Sequence, residues 1–293
     1  MMGDGEPCPG NSVGEARRWA TGLLATSSET PRLDAEVLLA HVLGVGRTAL
    51  LTDRSQCLDP AQAEQFTGMV KRRLKGEPVA YLVGRRAFYD VELAVDARVL
   101  VPRPETELLV ETALSWARST TAQPLQVVDV GTGSGALAIV LAKHLPGASV
   151  IATDLSGQAL EVAAANVARL ELGDRVTLVR CDLLACLDGP IELIVSNPPY
   201  VPRDRLPSLP ADVRLYEPHG ALDGGDDGLE LISRLLHQAT SRLARTGLLL
   251  VEIDETQGPA CSALATTLWP QAEVSVLRDL AGLDRVLRVE LVG

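Results

Sequence analysis

The sequence predicts an α/β fold, an open and mostly parallel sheet of seven strands ending in an antiparallel pair, with a small helical domain ahead of it. Three observations carry this. From about residue 105, short apolar runs alternate with helical patterns, as in a parallel sheet covered on both faces. The last two apolar runs are joined by a short Ala281-Gly282 break with no helix between them, which makes them an antiparallel pair. Residues 12–82, by contrast, show helical periodicity throughout, punctuated by Gly and Pro.

In order along the chain, helices are expected over 13–24, 31–42 and 60–74. Pro31 and Pro60 stand where a first turn tolerates proline, and Gly44 and Gly76 follow as stops. Residues 86–93 and 98–101 are richer in β-branched and aromatic types and predict a hairpin turning at Asp96-Ala97. The domain boundaries follow: a helical bundle over 1–82, a hairpin linker over 83–104, and the sheet domain over 105–293. Within the last, strands are expected at 126–130, 149–153, 175–179, 191–195 and 247–253. Helices are expected at 136–145, 156–170 and 229–243, then a helix at 259–268 and strands at 272–277 and 284–291.

Composition narrows the function. The chain has 293 residues, of which 46% are hydrophobic and 22% charged, enough apolar surface for two cores. A net charge of -11 disfavours broad contact with phosphate backbones. The run Lys71, Arg72, Arg73 and Lys75, with Arg85 and Arg86 beyond it, reads first as a solvated helix face and a loop. The five cysteines lack histidines at ligand spacing, so reduced buried thiols are expected, with no metal site. The N-terminal stretch has no apolar core of a signal peptide and no run has membrane-spanning length, which predicts a cytoplasmic protein.

Gly131-Thr132-Gly133-Ser134-Gly135 runs from a strand straight into a helix. Glycine there permits a tight turn and leaves no Cβ between the backbone and a ligand. The spacing is neither that of a dinucleotide fingerprint nor that of a triphosphate loop, so a nucleoside with a short charged tail fits better. Asp154 ends the next strand, 19 positions after Gly135, where an acid receives ribose hydroxyls. Asp182 follows the third strand and can accept from an adenine amino group, with Leu183 beside the ring; it could equally be a turn residue.

Asn197-Pro198-Pro199-Tyr200 follows the fourth strand, at the carboxyl edge where open α/β sheets gather ligands. A proline-rich turn would explain the prolines and neither flanking residue. An amide or aromatic amine is a poor nucleophile because its lone pair is delocalised. The Asn197 side-chain oxygen and the Pro198 carbonyl can accept both hydrogens of a planar NH2 and orient it. Pro199 stiffens the loop, and Tyr200 can stack on the acceptor. This chemistry needs a methyl donor with a good leaving group and no metal or general base, so His144 and His219 are expected to be structural.

Several stretches together resemble one family, the release-factor glutamine methyltransferases, or PrmC/HemK family. They are residues 76–84 (GEPVAYLVG), 101–107 (VPRPETE), 131–135, 196–200, Glu217-Pro218, 221–229 and 279–285, covering most of the chain beyond residue 75. The Asn-Pro-Pro-Tyr run is shared with other N-methyltransferases, whereas the PRPETE stretch is more specific. The resemblance implies a Rossmann-like class I domain that uses S-adenosylmethionine and releases S-adenosylhomocysteine. It implies methylation of the side-chain nitrogen of the glutamine in the Gly-Gly-Gln motif of class 1 peptide release factors, and a helical N-terminal domain that helps hold that partner. The acidic charge and the lack of a membrane-spanning run lead to no direct nucleic-acid or membrane partner being expected, and a monomer is the expected state. Carried over, Gly131, Thr132, Gly133, Ser134, Gly135, Asp154 and Leu183 contact the cofactor, and Asn197, Pro198, Pro199 and Tyr200 hold the glutamine; Asp182, from its place after the third strand, and Asn197 are counted with the cofactor residues as well. Rival readings are a glutamine of a ribosomal protein, an exocyclic amine of nucleic acid, and a non-catalytic scaffold.

Overall fold

The structure, a computed structural model, describes residues 12–52, 56–120 and 124–292. The chain separates into two compact units, one running to Gly84 and including Pro210–Tyr216, the other formed by Arg85–Leu209 and Glu217–Gly293.

The first unit is helical, with α1 (Val13–Leu24), α2 (Pro31–Leu43), a short α3 (Ala49–Thr52), α4 (Pro60–Leu74) and α5 (Val79–Val83). Capping chemistry sets the starts. Ser12 and Glu15 form a capping box on α1, and Asp59 with Gln62 does the same on α4, where the Gln62 amide donates to Asp59 Oδ1 at 2.8 Å. Gly44 ends α2 in the left-handed region at φ 66°. Leu24, Leu38, Leu39, Phe66 and Val70 form the centre of the core. The basic run at the end of α4 is half paired: Arg72 donates to Glu77 at 2.7 Å, and Arg73 donates to the buried Asp34 at 2.8 Å. Two of its four charges are thus neutralised within the unit.

The second unit opens with a hairpin, β1 (Arg85–Phe88) and β2 (Val91–Ala94). This corrects the expected hairpin of 86–93 with 98–101. Both strands lie before residue 95, because the chain reverses at Tyr89, whose φ of 54° makes the tight turn without a glycine. Next come α6 (Glu107–Ser119), β3 (Gln126–Val130), α7 (Ala136–His144), β4 (Ser149–Asp154), α8 (Gly157–Arg169), β5 (Val176–Arg180) and β6 (Ile191–Ser196). After α9 (Ala211–Tyr216), which belongs to the helical unit, follow α10 (Glu230–Ala239), β7 (Leu243–Glu252), α11 (Gly258–Leu268), β8 (Glu273–Arg278) and β9 (Asp284–Glu290). Helix α6 lies outside the sequence-based expectations. The helix expected to reach residue 243 stops at Ala239, because Leu243 already pairs with Ile191 at the edge of β6.

The seven strands run in the order β5-β4-β3-β6-β7-β9-β8, parallel except for the pairings of β9 with β7 and β8. This is the mixed sheet with a terminal antiparallel pair that the sequence predicts. Alternate residues face opposite layers: Val127, Leu193 and Val195 pack with Ile139 and Leu141 on one side, and Val128, Val130 and Ile194 with Leu235 and Leu236 on the other. The strand order reverses between β3 and β6, so the loops leaving these two neighbours diverge and leave a crevice at their carboxyl ends.

Candidate active site

The crevice is a cavity of about 500 Å³, within the usual size range for a small-molecule site. The loop after β3 forms its floor. Gly131, Gly133 and Gly135 all take positive φ, and a side chain on Gly135 would meet Ile139 Cδ1 at 3.1 Å and Ala163 Cβ at 3.4 Å. Glycine at 135 therefore allows α7 and α8 to close on the loop. The Gly131 and Thr132 amides donate to the Thr153 carbonyl at 2.8 and 2.9 Å, which ties the loop to β4.

Asp154, at the end of β4, accepts from the Gly133 amide at 2.9 Å through Oδ2 and from the Ser156 amide at 2.8 Å through Oδ1. Each oxygen keeps a second lone pair for a ligand hydroxyl. Its burial raises its pKa against the pull of these amides. Asp182, after β5, is held by Arg234 at 2.6 Å, and Leu183, at a left-handed φ of 55°, stands on the cavity wall beside it.

Asp129 on β3 went unremarked as a site residue. It is 1% exposed; its Oδ2 accepts from the Thr132 hydroxyl at 2.6 Å and from the Ala138 amide at 3.1 Å. Its Oδ1 has no hydrogen-bond partner among the described residues, although Asp129 lines the cavity. Burial, with Asp154 nearby, pushes its carboxyl up to about 7.

The loop after β6 forms the opposite wall. The Asn197 Nδ2 donates to the Thr106 hydroxyl at 3.1 Å, and the Ser196 hydroxyl donates to the Val130 carbonyl at 2.8 Å, joining the two loops. The Tyr200 hydroxyl donates to the buried Glu252 at 3.2 Å. Burial, with the Glu252 charge, raises the Tyr200 pKa, so the phenol stays protonated. The backbone past Tyr200 is braced by residues 222–228: the Val201 amide donates to the Leu222 carbonyl at 3.0 Å, the Gly224 amide donates to the Val201 carbonyl at 2.9 Å, and Gln257 Nε2 donates to the Tyr200 carbonyl at 2.9 Å. Gly228 lies so close to the Tyr200 carbonyl that no side chain fits there. The glycine-rich stretch at 223–228 is therefore a support for the Asn-Pro-Pro-Tyr loop.

The sequence profile of the PrmC N-terminal domain matches residues 15–84, and that of the methyltransferase small domain matches residues 105–206. A release factor glutamine methyltransferase of Rhodopirellula baltica is 43% identical over 277 residues, covering 93% of this chain and 94% of the relative. That of Moorella thermoacetica is 44% identical over 276 residues, covering 94% and 95%. The chain belongs to the release factor glutamine methyltransferase family. It is an S-adenosylmethionine-dependent methyltransferase. A solved methyltransferase of Pyrococcus furiosus has the same fold, with a TM-score of 0.51 and 18% identity over 70% of this chain and 90% of its own.

Of the residues this methyltransferase was expected to use, Gly131, Thr132, Gly133, Ser134, Asp154, Asp182, Leu183, Asn197 and Pro199 line the same cavity. Gly135, Pro198 and Tyr200 are not on its wall: Gly135 serves helix packing, Pro198 is buried, and the Tyr200 hydroxyl is bound to Glu252. Thr106 and Glu252 join Asp129 as residues that sequence reasoning missed. Thr106 falls inside the PRPETE stretch, which the sequence marks as specific to the family without tying it to the site.

The cysteines need a correction. Cys181 and Cys186 form a disulfide, with Cα atoms 5.9 Å apart, where reduced thiols were expected. The turn through Asp182–Ala185 folds the two back on each other, which their separation of five leaves invisible in sequence. Cys57 is exposed and Cys261 is buried, while Cys8 lies outside the described residues. Among the described residues, no group of three His, Cys, Asp or Glu is placed to hold a metal, and no helix is long and apolar enough to cross a membrane. His144 contacts Asp90 at 3.0 Å and stacks edge-on against Tyr89, away from the cavity-lining residues.

Proposed function

We propose that this chain methylates the side-chain nitrogen of the glutamine in the Gly-Gly-Gln motif of class 1 release factors, with the cofactor over the β3 loop and the glutamine amide at Asn197–Tyr200. The observation that carries the reading is the pairing of Asn197 with Thr106. With Nδ2 engaged, the Asn197 oxygen is the free end of the amide, and Asn197 lines the cavity.

The residues present fit the cofactor. The unpartnered Asp129 oxygen suits a cationic amino group, Asp154 suits a pair of ribose hydroxyls, and Asp182 with Leu183 suits an adenine. Bound there, S-adenosylmethionine supplies a methyl group on a cationic sulfonium whose departure leaves a neutral thioether.

The chain's own residues do the rest. Asn197 Oδ1 and the Pro198 carbonyl accept the two amide hydrogens, which turns the nitrogen lone pair toward the methyl group and favours pyramidal nitrogen as the bond forms. The amide becomes more acidic as the methyl arrives, so its surplus proton leaves to water without a dedicated base. Tyr200 supports the acceptor and excludes water. The prolines and the brace at 222–228 set the loop beforehand, so little ordering cost falls on the reacting complex.

The helical unit holds the partner protein, and the enzyme acts as a cytoplasmic monomer alongside translation. The test is incubation with S-adenosylmethionine and a purified class 1 release factor, followed by mass spectrometry. One methyl on the Gly-Gly-Gln glutamine is expected. Methylation of a ribosomal protein or an oligonucleotide instead, by an enzyme preparation shown to turn over, would overturn the substrate assignment.

A further inference from the structure

Asn166 stands in the last turn of α8 and is 0% exposed. A buried amide is costly unless its polar atoms are paired. Here every one is used. Nδ2 donates to the Ser134 carbonyl at 2.9 Å and to the Ala94 carbonyl at 2.9 Å. Oδ1 accepts from the Ala94 amide at 2.7 Å and from Arg169 Nη2 at 3.3 Å. These partners decide which way the amide faces. Reversed, it would set an NH2 against the Ala94 N–H and the Arg169 guanidinium, and an oxygen against two carbonyls.

The two backbone segments so joined both lead to the cavity. Ser134 belongs to the glycine loop and lines it. Ala94 ends β2, and the chain beyond it passes along the cavity at Arg98, Val99, Leu100 and Pro102. Arg169 adds a second tie from α8 to β2 by donating to the Glu92 carbonyl. The Ser134–Gly135 peptide needs such a tie, because Gly135, at φ 86°, puts little steric limit on how that peptide turns. Asn166 itself is not on the cavity wall, so the Ser134 carbonyl is engaged away from the ligand.

We infer that Asn166 is a positioning residue for the cofactor: it holds the glycine loop and the 98–102 segment at a fixed separation and keeps the Ser134 carbonyl off the ligand. The inference rests on the placement of S-adenosylmethionine in this cavity. Without the Nδ2 donors, the Ser134 carbonyl is released to turn toward the ligand and the two walls part. The acceptor loop is held by other groups, Thr106, Gln257 and residues 222–228, so the loss falls on the cofactor.

The test uses Asn166→Asp, which keeps the shape and replaces the donor by an acceptor, and Asn166→Leu, which removes all the hydrogen bonds. Kinetics are measured in the full chain with S-adenosylmethionine and a release factor each varied in turn. Both variants should raise the KM for S-adenosylmethionine by about tenfold or more, with kcat falling far less and the KM for the release factor moving by less than about twofold. A merely structural role would lower kcat through lost folded protein and leave both KM values in place. A wild-type cofactor KM in both variants, or an equal rise in both KM values, overturns the inference.

A second measurement needs no variant. Amide hydrogen exchange of the wild type is followed with and without S-adenosylmethionine, which should slow exchange at the Ala94 amide together with that at Gly133. Protection at Gly133 with none at Ala94 overturns the inference. Asp154→Ala, titrated alongside, separates this claim from the one beneath it. If Asp154→Ala binds the cofactor weakly while both Asn166 variants bind as wild type, the role of Asn166 alone is wrong. If Asp154→Ala binds as wild type, the cofactor placement fails and the inference falls with it.

Discussion

Asp129→Asn probes the cofactor assignment by removing one charge and little else. The amide oxygen can keep the contacts that Asp129 Oδ2 makes with the Thr132 hydroxyl at 2.6 Å and the Ala138 amide at 3.1 Å, so the loop should hold its shape. What changes is the unpartnered Oδ1, which becomes an NH2 on a residue that lines the cavity. A hydrogen bond to a charged group contributes about 1.5–3 kcal/mol, and Asp129 is too buried for solvent to screen it. That corresponds to roughly a 10- to 150-fold weaker Kd for S-adenosylmethionine. The assay is calorimetric titration of wild type and variant with S-adenosylmethionine and, separately, with 5′-methylthioadenosine, which keeps the nucleoside and lacks the amino-acid tail. The second ligand should bind both proteins alike. Wild-type affinity for S-adenosylmethionine should also strengthen as pH rises toward about 7, where Asp129 ionises, and the variant should not show this. Equal loss of both ligands, or no loss of either, would refute the placement of the amino group at Asp129.

Other consequences follow from the same structure. Asp129 and Glu252 rise from 3.8 and 4.5 to about 7, so the folded protein binds more protons than the unfolded chain; their contribution to stability is fully present in acid and is lost as pH climbs through 7. Urea unfolding of apo-protein from pH 5 to 7.5 should show Asp129→Asn losing up to about 1.4 kcal/mol per pH unit of that decline. Asp154→Ala removes the tether to the Gly133 amide as well as the proposed ribose contacts, and should weaken cofactor binding by at least about tenfold in the same titration. Gly228→Val places a side chain against the Tyr200 carbonyl, Gln257 Nε2 and Pro202 at a φ of 74°, and should cost about 1–3 kcal/mol of stability. Its turnover should fall more than its cofactor affinity, since the displaced segment is the acceptor loop.

Parallel strands buried on both faces read as continuous apolar runs, which is why β3, β4 and β6 were legible to within a residue. Helix α6 was not, because its stripe of Leu109, Val110, Ala113, Leu114 and Trp116 begins directly after the PRPETE stretch with no stop or turn signal to set it off. The hairpin was misplaced because Tyr89 turns the chain without the glycine that marks most such turns. The glycine loop, Asp154 and the Asn-Pro-Pro-Tyr run could be found because each is local in sequence and stands at a strand end. Glu252 could not: in sequence it is one acid closing an apolar run, and only the order of β6 and β7 brings it to Tyr200. Asp129 was visible in its strand, but its unsatisfied oxygen exists only once Thr132 and Ala138 have taken the other one.

In the proposed mechanism Asn197 holds the glutamine amide, separately from the cofactor. Asn197→Ala tests it most directly, with methylation of a release factor followed by mass spectrometry and S-adenosylmethionine affinity followed by calorimetry on the same preparation. The structure predicts that transfer is abolished while cofactor affinity stays close to wild type. Methylation at the wild-type rate, or loss of cofactor binding in proportion to the loss of transfer, would contradict it.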